Sequence, residues 1–269
     1  MRSNYYLLSP KIDFILIGGA ATLTYFLVLI FYTNFEFSIA WQGEVAYWML
    51  FFAFFVNSPH FLISYLIFYR ENSKNFKILN KYSIVGLYIP LFLLVFIILG
   101  LLSLNKSYFD YLLFSMFFLV GWHYIKQAYG CFIVYSAGNK IYYNKKEQNI
   151  IKLSLYPLWI FSFLNLFTND ALKEYWGFKY YVPNILENFK PIIEYCSIIG
   201  FLALISLFIY HIFYLKNRVN ITAIISLIVI FIWLSPLFWN PYFYLMIPFF
   251  HSLQYFLFFG AYTKTKINK

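Results

Sequence analysis

The chain reads as long apolar runs separated by short polar breaks. A helix needs about 20 apolar residues to cross the hydrocarbon of a bilayer. Runs of that order fall at 14–32, 45–69, 82–104, 108–137, 151–168, 192–215, 221–238 and 242–263. Segments this long predict helices rather than strands. The expected class is therefore all-α: a polytopic integral membrane protein of about eight transmembrane helices, forming one helical-bundle domain over 1–269. No second domain, linker or sequence repeat is visible.

Composition agrees with this pattern. Of 269 residues, 62% are hydrophobic, 26% aromatic and only 11% charged, against about 25% charged in a typical soluble domain. Such a chain cannot cover its apolar surface with polar groups. A soluble monomer, a disordered chain and a disulfide-stapled secreted module are therefore excluded. Cys131 and Cys196 each sit within an apolar run and act as small hydrophobes. Residues 1–11 and the run after them lack a small-residue cleavage site, so the first helix is expected to be retained.

The formal net charge of +10 would raise the question of nucleic acid in a soluble protein. Here it reports topology instead, and no nucleic-acid partner is expected. With eight helices, one set of loops and ends collects Arg2, Lys11, Arg70, Lys74, Lys77, Lys81, Lys140, Lys145, Lys146, Lys152, Lys216, Arg218, Lys264, Lys266 and Lys269. The other set holds only Lys106, Lys173, Lys179 and Lys190, and Lys126 lies inside a helix. The positive-inside rule then puts both termini in the cytoplasm, and a bacterial inner membrane is the expected location. The long outer connection 169–191, with Trp176, Tyr180 and Tyr181, is expected to lie along the interface.

Polar residues in a span are rare, face the bundle and mark function. Three spans carry clusters of them: Asn57-Ser58-Pro59-His60 with Ser64; Trp122-His123-Tyr124-Ile125-Lys126-Gln127; and Pro248-Phe249-Phe250-His251-Ser252-Leu253-Gln254-Tyr255. Residues three, four and seven apart share a helix face. Asn57, His60 and Ser64 thus form one stripe, His123, Lys126, Gln127 and Gly130 a second, and His251, Gln254 and Tyr255 a third. All three helices run the same way. At about 1.5 Å per residue, His60 lies about 24 Å beyond Glu44, His123 about 20 Å beyond Asp110 and His251 about 17 Å beyond Asn240. The three imidazoles share one depth and can meet if their helices are neighbours.

Imidazole is the commonest protein metal ligand, and its second nitrogen needs a partner. His60, His123 and His251 are the candidate metal ligands; the place of His211 near Lys216 favours an interfacial role, and it remains a candidate fourth ligand because its helix runs the same way. Asn57, Gln127, Gln254, Ser252 and Tyr255 are candidate supporting groups. Lys126 has two readings: an ion pair with Asp13, or a receptor for a substrate's carboxylate, phosphate or carbonyl. Gly18-Gly19-Ala20-Ala21 permits close helix packing. Carboxylates are nearly absent from the spans, which argues against a carboxylate proton pump and a carboxylate-bridged di-iron site. Four histidines are too few for the histidine boxes of membrane desaturases and alkane hydroxylases.

A compact chain of this length, with many helices and histidines at membrane depth, resembles the bacteriorhodopsin-related β-carotene 15,15′-dioxygenases. That resemblance implies a histidine-held iron and cleavage of a carotenoid-like substrate, with His60, His123 and His251 matched as histidines at membrane depth. The leading expectation is a membrane-embedded, iron-dependent oxygenase of a lipophilic lipid or isoprenoid, its partners being the bilayer and that small molecule. In this scheme Gln127 and Gln254 orient the ligands and Lys126 positions the polar end of the substrate. The alternative is non-catalytic: a transporter, or a subunit binding quinone or haem through two histidines.

Overall fold

The computed structural model of the chain describes residues 5–34, 39–78, 80–105, 107–168, 174–175, 178–179, 185–217 and 219–267. Among the described residues eight helical rods stand where the eight apolar runs lie. Helix α1 covers 10–34 in three pieces, Pro10–Phe14, a π-turn at Ile15–Gly19 and Ala20–Asn34, with a kink where the Gly18 backbone leaves the helical region. Helix α2 is Ile39–Asn72, and α3 covers 81–103 with a π-turn at Ile84–Tyr88. Next come α4, Ser107–Gly138, and α5, Lys145–Thr168. Helix α6 covers 185–214, ending in a π-turn at Tyr210–Tyr214, and is followed by α7, Ile221–Leu234, and α8, Ile247–Ile267. Among the described residues the one extended pairing is antiparallel, Glu174–Tyr175 with Phe178–Lys179. Trp176, Tyr180 and Tyr181 lie outside the described residues, and Cys131 and Cys196 are both free.

Local chemistry sets the helix ends. The Ser9 side chain accepts the Ile12 N–H ahead of Pro10 at the first turn of α1. Asn144 and Glu147 open α5 reciprocally: Asn144 N–H donates to Glu147 Oε2 at 2.7 Å, and Glu147 N–H to Asn144 Oδ1 at 3.0 Å. The seventh run was expected to be helical to 238, but α7 stops at Leu234. The Ser235 hydroxyl accepts the Leu237 N–H at 3.2 Å and opens a separate 3₁₀ turn, Pro236–Phe238. Likewise 242–246 is not part of α8: Pro241–Tyr244 makes its own turn.

Helix α7 is the axis of the core. Nearly every residue from Thr222 to Leu234 is buried, as an all-round apolar helix requires. Its length, about 21 Å, falls short of the roughly 30 Å hydrocarbon core. Helices α1, α4 and α5 pack on it. Gly18 makes the α1–α7 approach possible: a Cβ there would sit 3.0 Å from Val229 Cβ and 3.1 Å from the Ile225 carbonyl. Gly200 does the same for α6 on α5, where a Cβ would meet the Ser154 carbonyl at 2.6 Å.

The outer surface has the opposite character of a soluble protein. Phe55, Leu62, Leu66, Phe92, Leu94 and Leu102, on α2 and α3, are all more than half exposed. Among the described residues five segments are long and apolar enough to cross a membrane: Pro10–Ile30, Tyr47–Asn75, Lys81–Ser103, Lys145–Leu166 and Asn188–Tyr214. An apolar patch of this extent needs lipid rather than water around it, so the helices indicate an integral membrane protein in contact with the bilayer. Helices α4 and α8 are not among the five, because polar side chains interrupt both. Those side chains build the site.

Candidate metal centre

Helix α2 packs along α8, and α8 also packs on the π-turn of α1. This neighbourhood brings three imidazoles together, one each from α2, α4 and α8. The ring centroids of His60 and His123 are 6.1 Å apart, those of His60 and His251 5.4 Å, and those of His123 and His251 4.8 Å. One nitrogen from each ring lies within 4.8 Å of the others. His60 and His251 are buried at 3% and 2% exposure, while His123 is half-buried. The depth match read from the sequence thus corresponds to a real convergence.

The donors fit a cation. Some point lies within about 2.8 Å of all three nitrogens, and a metal–imidazole bond of about 2.0–2.1 Å is reached by inward shifts of less than 1 Å. His60 Nδ1, His123 Nε2 and both ring nitrogens of His251 are buried with no hydrogen-bond partner among the described residues. Leaving a buried polar group unpaired costs about 1–3 kcal/mol. Unpartnered ring nitrogens on three helices, with one nitrogen per ring within 4.8 Å of the others, are the pattern of a ligand set. Three neutral nitrogens without a carboxylate suit zinc, copper or iron.

A relay of amides holds α8 in register with the rest of the site. Gln127 Nε2 donates to the His251 carbonyl at 3.0 Å and to Gln254 Oε1 at 3.0 Å. Gln254 Nε2 in turn donates to the Ile17 carbonyl, in the π-turn of α1. The two glutamines therefore act on the α8 backbone and the α1 turn, not on ring nitrogens as the sequence reading had them. The Ser252 hydroxyl shares its proton between Asn57 Oδ1 at 3.0 Å and the Pro248 carbonyl at 2.9 Å, tying α8 to α2 one turn from His60. Ser64 donates to the His60 carbonyl at 2.8 Å. The Tyr255 ring lies against His60, with centroids 4.0 Å apart.

Two expected partners lie elsewhere. Lys126 does not pair with Asp13: its ammonium stands 5.3 Å over the Trp122 ring. The fully buried Asp13 carboxylate instead accepts the N–H groups of Leu7, Leu8 and Ser9 and the Tyr135 hydroxyl at 2.8 Å. His211 is also apart from the cluster. Its Nε2 faces Glu147 Oε1 at 3.2 Å and its Nδ1 faces Asn217 at 3.2 Å, so both nitrogens are satisfied. Its ring packs 4.5 Å from Tyr143, whose hydroxyl burial pushes up to about 12. The pair joins the ends of α5 and α6.

Sequence spacing missed Tyr124 and Ile17. The Tyr124 ring is 4.5 Å from that of His251, although as the neighbour of His123 it falls off the polar stripe. The Ile17 carbonyl is available to Gln254 at a π-turn, for which Gly18-Gly19 was the one local hint. Comparison with family models, with curated proteins and with solved structures gives no match.

Proposed function

We propose that this chain is a membrane-embedded metalloenzyme in which His60, His123 and His251 hold a single transition-metal ion and a lipophilic molecule is the substrate. The observation that carries this reading is the meeting of unpaired, buried imidazole nitrogens from three helices. The proposed metal is iron and the proposed reaction is oxygenation of a lipid, isoprenoid or carotenoid-like molecule, as the resemblance implies. Topology follows the basic residues, with both termini on the cytoplasmic side of a bacterial inner membrane.

When bound, the ion would supply Lewis acidity and, for iron, activation of dioxygen. The chain does the rest. The three rings set the ligand geometry, while the Gln127–Gln254–Ile17 relay and the Ser252–Asn57 contact fix the helices that carry them. Tyr124, Tyr255 and the surrounding apolar side chains exclude water. Lys126 receives the polar end of the substrate. Three rings crowded within 4.8–6.1 Å of one another favour a mononuclear ion over a haem gripped by two of them.

Elemental analysis of detergent-purified protein, with an absorption spectrum, tests this. The reading expects about one transition-metal ion per chain, no Soret band, and loss of the metal in His60→Ala, His123→Ala and His251→Ala, each checked for folding by gel filtration. An active preparation without stoichiometric metal refutes it. A strong Soret band would favour a haem-binding subunit, and uptake that survives metal loss would favour a transporter.

A further inference from the structure

Resting on the metal-centre reading, we infer that the substrate is a single-chain amphiphile with an anionic head, carboxylate or phosphate, and that Lys126 holds this head at a lipid-facing edge of the site. Three observations combine here. The first is the state of Lys126 itself. It lies midway along α4, half-buried, and its side chain runs back toward the helix N-terminus to place the ammonium over Trp122. The ammonium therefore rises toward the level of His123 rather than away from it. Among the described residues no ion pair joins it to an acid. Asp13 is enclosed by its own amides and Tyr135, and Glu147 faces His211. A cation at this depth is stabilised by an anion, and the described residues provide none beside it.

The second observation is the direction of access. His60 and His251 are shut in, but His123 is half-buried and Trp122 beside it is 41% exposed. The cluster is therefore most open along α4, where Lys126 stands, and this side faces the bilayer. The third is room. Gly130 shares the inward stripe with His123 and Gln127, about 10 Å further along the helix, and a Cβ on Gly130 would meet nothing within 4 Å. At the packing glycines Gly18 and Gly200, by contrast, an added Cβ collides with the neighbouring helix. The open space at Gly130 lets an apolar chain lie beside α4 while its head pairs with Lys126. With the ammonium over Trp122, the head lies near the level of His123, so the carbons nearest the head lie closest to the ion.

Binding of 9,10-dibromostearate, read by saturable quenching of tryptophan fluorescence in nanodiscs, tests this without the reaction. The acid is expected to bind, its methyl ester to bind at least about tenfold more weakly, and Lys126→Met to lose a similar factor, as for one charged hydrogen bond. Lys126→Arg is expected to restore binding, and Gly130→Leu to weaken it by filling the open space beside α4. Displacement by hexadecyl phosphate more readily than by palmitate assigns a phosphate head, and the reverse order assigns a carboxylate. The inference is overturned if the ester binds as well as the acid, or if a folded Lys126→Met binds like the wild type. Metal content measured in the same samples separates the two claims. Lys126→Met should keep the ion, whereas a wild type without metal refutes the enzyme reading and leaves the head-group contrast to be judged on its own.

Discussion

Replacing Gln254 with methionine keeps side-chain length and apolar packing but removes both of its hydrogen bonds. In the wild type this side chain is 1% exposed; it accepts from Gln127 at 3.0 Å and donates to the Ile17 carbonyl. After the change, the Ile17 carbonyl is left buried without this donor. Gln127 retains only its bond to the His251 carbonyl at 3.0 Å. With about 1–3 kcal/mol for each buried group left unpaired, Gln254→Met should lower stability by about 2–4 kcal/mol. Equilibrium unfolding by SDS in mixed micelles, followed by far-UV circular dichroism, reads this directly. A cycle with Gln127→Leu should give a coupling of about 1 kcal/mol or more, because the two amides share one bond. Since α8 is the carrier of His251, weaker retention of the metal against a chelator should accompany the loss. Unfolding of Gln254→Met at the wild-type SDS fraction, or strict additivity in the cycle, would refute the relay.

Other perturbations separate the site from the scaffold. Glu147→Gln should destabilise the protein by about 1–3 kcal/mol, because it weakens both the cap of α5 and the contact with buried His211, yet metal content should stay at the wild-type level. Loss of the ion in that variant would contradict the separation of His211 from the cluster. Asp13→Ala orphans three N–H groups and the Tyr135 hydroxyl and should cost about 3–5 kcal/mol, seen as poor folding yield or early SDS unfolding. Gly18→Val forces a branched side chain against Val229 and Ile225 and should cost about 1–3 kcal/mol by overpacking; a wild-type unfolding midpoint would show that α1 can move away from α7 freely.

The sequence made the helices and the common depth of the three histidines legible for the same physical reason, but not that their helices are neighbours. In lipid, apolar length marks each span and a polar side chain stands out against it. His60, His123 and His251 could be placed at one depth by counting residues, since the helical rise is constant. Contacts that depend on backbone irregularity were not legible. The π-turn at Ile15–Gly19 and the early end of α7 at Leu234 follow from local hydrogen bonding that a hydropathy pattern does not register. Partner choice was harder still. Asp13 looked like the natural counter-ion for Lys126, but three amides four to six residues upstream and Tyr135 take its oxygens instead. His211 shared the helix direction of the ligands, but lies near the end of α6 against Glu147.

X-ray absorption at the edge of the metal found in the purified protein tests the central claim most directly. The account predicts a first shell dominated by nitrogen at about 2.0–2.1 Å, with the outer-shell scattering of about three imidazoles, reduced in His123→Ala. A spectrum with no imidazole scattering, a sulfur-dominated shell, or one unchanged in that variant would contradict it.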